Sequence, residues 1–166
     1  MNTSRFMKRS GSEKGFTLIE LLIVVAVIAI LAAVVFVALD PLQRFQESRD
    51  ATRWSDVGAI LDATKVDQVD NGGAYIAAVT ALTAGTYYQV GTCANGGDTG
   101  CTAQTTAATC ADLTGLATEG YLASVPMDPS SGTAAETDYY IMRAATGVIT
   151  VGACDPEGAT PITLSR

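Results

Sequence analysis

The sequence bears on chemistry through three features: four cysteines, no histidine, and one carboxylate at the head of a long apolar run. Without histidine the chain lacks the commonest general base near neutral pH and the commonest zinc ligand, so hydrolase triads built on imidazole are excluded. Cys93, Cys101, Cys110 and Cys154 are an even set with no C-x-x-C pair, and all follow the apolar run. In an exported segment they predict two disulfides rather than a metal site. Three pairings are open, and spacing does not choose among them. The preferred one is Cys93–Cys101, closing a Gly-rich loop, with Cys110–Cys154, tying a short helix to the last strand. Glu20 directly precedes 19 consecutive apolar residues, Leu21–Leu39. A carboxylate there is destabilising unless it has a partner or a task.

The elements that position these residues follow from the patterning. As a helix, the apolar run is about 28 Å long at roughly 1.5 Å per residue, close to the thickness of a bilayer's hydrocarbon core. Residues 1–15 hold Arg5, Lys8, Arg9 and Lys14 against Glu13, which keeps the N-terminus cytoplasmic and carries everything after Leu39 across the membrane. An ordinary secretory signal has a shorter apolar region and no acid at its start, and a permanent anchor gives no reason for the residue order ahead of the run.

Asp40-Pro41 predicts a bend in the helix rather than its end, because helix formers with a helical period follow. Trp54, Val57, Ile60 or Leu61 and Thr64 fall on one side, leaving Asp56, Asp62 and Asp67 to face water. The helix is expected to run to about Asp70, where Asn71-Gly72-Gly73 supplies a stop. Phe45 and Trp54 read as packing residues. Thr86–Val90 reads as a short strand, Cys93–Cys101 as turn chemistry and Ala111–Gly120 as a short helix. Residues 138–143 and 148–152 read as an antiparallel pair joined by a tight turn at Gly147.

The net charge is −7, and without residues 1–15 six basic and sixteen acidic side chains remain, a balance of −10. Beyond Arg53 the only cations are Lys65, Arg143 and Arg166, too few and too scattered to neutralise a row of phosphates, so direct nucleic-acid binding is not expected.

Gly15-Phe16-Thr17-Leu18-Ile19-Glu20 with the apolar run behind it resembles the class III signal of type IV pilins and type II secretion pseudopilins. A second stretch, Tyr121-Leu122 with Pro126-Met127-Asp128-Pro129, is similar to one in major pseudopilins and some related pilins. The resemblance implies an α+β fold, the pilin-like lollipop: a long N-terminal helix whose first half spans the membrane and whose second half packs on a small antiparallel sheet domain with disulfides. It divides the chain into a cleaved prepilin leader (1–15), a transmembrane and filament-core helix (16–39), a helix continuation packing on the globular domain (40–72) and an extracytoplasmic globular domain (73–166).

The same resemblance implies cleavage between Gly15 and Phe16 by a prepilin peptidase, N-methylation of Phe16, and a role for Glu20 in assembly. There its carboxylate would pair with the N-terminal ammonium of a neighbouring subunit. Major pseudopilins hold calcium in the loop after the Pro-x-Asp-Pro stretch. Asp128, Ser130 and Asp138, near Ser131, Thr133 and Glu136, are the corresponding hard oxygen donors here, and a solvated acidic turn is the alternative. The expected function is that of a structural subunit, not an enzyme, with no cofactor other than that candidate calcium. It would sit N-in and single-pass in the inner (cytoplasmic) membrane, in contact with lipid. An inner-membrane assembly platform would then polymerise it with other pilin subunits into an extracellular pilus filament. The alternatives are a type II secretion pseudopilin and a membrane-anchored calcium-binding module that does not polymerise.

Overall fold

The computed structural model describes residues 15–94 and 100–166. The part of the expected leader (1–15) that precedes Gly15 and the middle of the turn expected between Cys93 and Cys101 lie outside the described residues. Two compact units divide the chain, Met1–Pro41 and Leu42–Arg166.

In the first unit Thr17 has extended backbone, and its side chain accepts from the Glu20 N–H at 3.2 Å. This N-cap satisfies one of the free donors of the first turn, and Thr-x-x-Glu is the matching sequence pattern. Helix α1 follows over Leu18–Leu39, with none of its 22 residues buried. It ends because Asp40 precedes a proline and is pushed out of right-handed helical backbone. Asp40 takes left-handed backbone (φ 35°, ψ 74°), a region aspartate tolerates better than most residues. The helical backbone is thus interrupted at Asp40. Pro41 then opens α2, Pro41–Asp70, at the one helical position where a missing N–H costs nothing.

In the second unit α2 buries Arg53, Val57, Ile60, Thr64 and Asp67, with Leu61 and Ala63 beside them. Their spacing alternates four and three, one face of a helix. Trp54 is 42% exposed, because it lies about 100° around the helix from Arg53. Asp67, expected in water, is buried: its Oδ2 accepts from Ile76 N–H at 2.7 Å and its Oδ1 from Asn71 Nδ2 at 2.8 Å. The helix stops as expected, Gly73 N–H donating to the Gln68 carbonyl at 2.7 Å with Gly72 and Gly73 at positive φ. Lys65 Nζ donates to Tyr75 Oη at 2.6 Å, and Tyr75 Oη donates to the Gly147 carbonyl at 2.7 Å, so this end of α2 is fastened to the tight turn at Gly147.

The remaining elements are α3 (Ala77–Thr80), β1 (Tyr87–Gln89), α4 (Thr114–Thr118), β2 (Tyr139–Arg143), β3 (Ile149–Ala153) and β4 (Thr163–Ser165). The strands form one antiparallel sheet in chain order, with Tyr88, Ile141, Val151 and Leu164 in register across it. Tyr139, Ile141, Ile149, Val151 and Ala153, alternate residues of β2 and β3, join Val57, Ile60 and Leu61 of α2 in a single core that Val79, Leu113 and Leu116 close. This is an α+β, pilin-like arrangement of helix on sheet. On the sheet's other face the Tyr140 ring lies over Gly152, its register partner. It meets Tyr87 edge-on, with ring centroids 5.5 Å apart.

Two disulfides form, Cys93–Cys110 and Cys101–Cys154, so both preferred pairings, Cys93–Cys101 and Cys110–Cys154, are replaced. Long-range backbone pairing decides it. Gly91 N–H donates to the Ala111 carbonyl at 3.0 Å and Ala111 N–H to Gln89 at 2.8 Å, laying Cys110 beside Cys93. Ala103 N–H donates to the Cys154 carbonyl at 3.0 Å, bringing Cys101 to the end of β3.

Candidate functional site

Gly15, Phe16 and Thr17 lead into α1 as non-helical backbone. A Cβ added at Gly15 would meet nothing within 4 Å, and Gly15 has no positive φ. Neither packing against the described residues nor backbone strain therefore asks for glycine there. Phe16 is 77% exposed. Glu20 stands in the first turn of α1, at the positive end of the helix dipole. It makes no ion pair among the described residues. From Leu21 to Leu39 the helix is apolar all round and exposed all round. No polar face is left for water, which separates it from an interfacial amphipathic helix. It is long and apolar enough to cross a membrane.

Residues 11–36 match the family model described as the prokaryotic N-terminal methylation motif. The chain carries that motif. It is the class III signal of type IV pilins and pseudopilins, and it makes the N-terminus that of a pilin-like prepilin. The match includes Gly15, Phe16 and Glu20, whose arrangement has no explanation in packing among the described residues. An apolar helix of spanning length behind the methylation motif suits membrane anchoring. No curated protein and no solved structure matches the chain.

Outside the methylation motif the main polar constellation centres on Arg53, which is fully buried. Its Nε donates to Asp128 Oδ2 at 2.5 Å and its Nη2 to Asp128 Oδ1 at 3.0 Å, a bidentate pair. Nη1 donates to Asp50 at 2.8 Å and Glu157 at 3.1 Å, and Nη2 also to Ser130 Oγ at 3.0 Å. Glu157 is held from its other side by Arg49. Burial alone would lower the Arg53 pKa, but its bonds to Asp128, Asp50 and Glu157 outweigh that and raise it. For Asp128 and Asp50 burial pushes the pKa upward. Bonds from Arg53 and Ser130 to Asp128, and from the Glu157 and Gly158 N–H groups and Arg53 to Asp50, prevail and hold both carboxyls below their usual range. The Arg49 bond holds Glu157 low.

This geometry decides where the candidate calcium ligands stand. Asp128 faces Arg53 with both oxygens, and Ser130 donates to Asp128 at 2.6 Å. Asp138 instead accepts from Gln89 Nε2 at 2.9 Å. Burial pushes its carboxyl pKa up, as do the charges of Asp155, Asp128 and Glu136. Among the described residues no three acidic, cysteine or histidine side chains cluster closely enough to hold an ion. A guanidinium occupies the face of Asp128 that a cation would need, so Asp128, Ser130 and Asp138 do not fit calcium as arranged. Arg53 was the residue missed in sequence. Its signal was its place four residues before Val57, on the extension of the buried stripe.

Proposed function

We propose that the chain is the structural subunit of a type IV pilus-like filament. Prepilin peptidase cleaves between Gly15 and Phe16 and methylates the Phe16 amine, α1 holds the product in the inner membrane, and polymerisation then buries α1 among its copies. The observation that carries this reading is the methylation motif opening onto a helix with no side chain buried. A surface so apolar must be covered by lipid or by other helices. In a bundle Glu20 would be a buried charge without a partner. The Phe16 ammonium of a neighbouring subunit, about one helical turn from that subunit's own Glu20, supplies one. The reading is of a scaffold rather than a catalyst, as is usual of the pilin type.

N-terminal mass spectrometry of the membrane or filament fraction tests processing. The expected start is N-methyl-Phe16, with the leader retained in Gly15→Val; an intact Met1 or a start near Asp40 defeats the assignment. Assembly is tested by Glu20→Ala in a strain with no wild-type copy. The variant should be exported and disulfide-bonded yet yield few sheared filaments, and a normal yield removes the pairing role.

The stretch from Tyr121 to Pro129 favours a second reading, a type II secretion pseudopilin. Deleting the gene would then block export of secreted proteins while leaving surface pili intact.

A further inference from the structure

Within the unit Leu42–Arg166, a groove of about 590 Å³ lies against the sheet face that carries Tyr140. Aromatic rings, hydroxyls and an amide line it: Tyr87, Tyr140, Gln104, Thr150 and Ser165 are among the residues, and among the described residues no charged side chain is. Of the neighbouring acids, Asp155 accepts from the hydroxyl of a groove residue, Thr102 Oγ1, at 2.6 Å, and Glu157 belongs to the Arg49 and Arg53 pairs. In a chain of net charge −7, an uncharged lining selects against ionic ligands. It offers no cation to a phosphate or carboxylate and no carboxylate to an amine.

The donors and acceptors left open point the same way. Tyr140 is only 2% exposed, yet its Oη makes no hydrogen bond to any described residue. Among the described residues the buried polar atoms without a partner are Gln89 Oε1 and Arg143 Nε; Tyr140 Oη is not sealed, so it opens onto the groove that Tyr140 lines and can be bonded from there. The Gln104 amide, half-buried, is likewise unbonded among the described residues. Thr150 Oγ1 and Ser165 Oγ lie 2.8 Å apart and share one proton, leaving the other hydroxyl proton to point outward. Tyr87 completes the wall with a half-buried ring. Hydroxyl and amide groups around an aromatic surface, with charge excluded, complement a ligand that is neutral, dense in hydroxyls and faced with C–H bonds.

We propose that this groove binds a neutral saccharide. Tyr87 presents the stacking surface, and Tyr140 Oη, the Gln104 amide and the Thr150–Ser165 pair hydrogen-bond the sugar hydroxyls.

The test uses the full chain in a detergent without a sugar headgroup. Ligand-observed NMR titration compares glucose, galactose, N-acetylglucosamine, maltose, lactose and chitobiose with the charged sugars sialic acid and glucosamine. At least one neutral sugar should bind at millimolar concentration, more tightly than either charged one. Tyr87→Ala and Tyr140→Phe should each weaken it about tenfold, the loss of one good contact or hydrogen bond. Tyr140→Phe removes a single oxygen, and an unchanged melting temperature will show that its fold is intact. If that temperature shifts, Gln104→Ala is the deciding variant, with the same weakening expected. Three outcomes overturn the proposal: no neutral sugar bound up to about 50 mM, a charged sugar preferred, or affinity unchanged in Tyr87→Ala and in the deciding hydrogen-bond variant.

Discussion

Arg53 has no access to water, so its charge and its five N–H groups must be met inside the protein. Asp128, Asp50, Glu157 and Ser130 meet them, from α2 itself and from two loops. Removing the guanidinium alone strands Asp128 in the interior. Arg53→Leu should therefore lower stability by about 3–5 kcal/mol, read by denaturant unfolding of the full chain in detergent. The same cluster sets the acid response. Asp128, Asp50 and Glu157 have folded pKa values below their unfolded ones. Their stabilisation is complete above the usual carboxylate range and is lost as pH falls through the folded values. Asp138 acts oppositely, its raised pKa favouring the fold as it protonates. With three groups against one, the melting temperature should fall between about pH 5 and pH 2, and more shallowly in Arg53→Leu, where Asp128 has lost its cation. Because Arg53 holds Asp128, replacing calcium by a chelator should leave the melting temperature within about 1 °C. A rise of several degrees with calcium would return Asp128 to the role of metal ligand.

At the scale of elements, the two disulfides differ in what they close. Cys93–Cys110 spans 17 residues and Cys101–Cys154 spans 53. By loop entropy their removal should cost about 3 and about 4 kcal/mol respectively. Replacing Cys101 and Cys154 by serine should thus lower the unfolding free energy by about 1 kcal/mol more than replacing Cys93 and Cys110. The reverse order would mean that local strain outweighs chain entropy. The pairing was not legible in sequence because it follows from Gln89, Gly91 and Ala111 meeting across non-local backbone, which no spacing encodes. The strands β2 and β3 were legible to within a residue or two, since Ile141, Ile149 and Val151 alternate with less apolar neighbours around Gly147. Strand β4, Thr163–Ser165, is three exposed residues with no apolar alternation to announce it, and α3 is a single turn within an Ala-rich segment. The stripe of α2 was read one residue off because Trp54 looks like core and Arg53 does not. The carboxylates that allow Arg53 to be buried lie some 75 and 104 residues away. At the N-terminus the opposite holds. Gly15, Phe16 and Glu20 form a local pattern, and the methylation motif that contains them was legible from it.

At the scale of the molecule, the two units are made for different surroundings. Residues 18–39 bury nothing, whereas residues 42–166 enclose a core of their own. A chain beginning at Leu42 should stay in solution without detergent, contain both disulfides and melt within a few degrees of the full chain. Size-exclusion chromatography and circular dichroism check this, and aggregation of the truncated chain would show that α1 is needed for more than anchoring. Lysine distribution adds a practical corollary. Lys8 and Lys14 precede Phe16, so a chain starting at Phe16, as proposed, keeps one lysine, Lys65, whose ammonium is bonded to Tyr75. An amine-reactive dye would therefore place one side-chain label on each such chain, and the filament we propose would become a regularly spaced fluorescent ruler. Acylation would also remove the cation from Tyr75, so the label loosens the junction between the end of α2 and the β2–β3 turn at the point it marks.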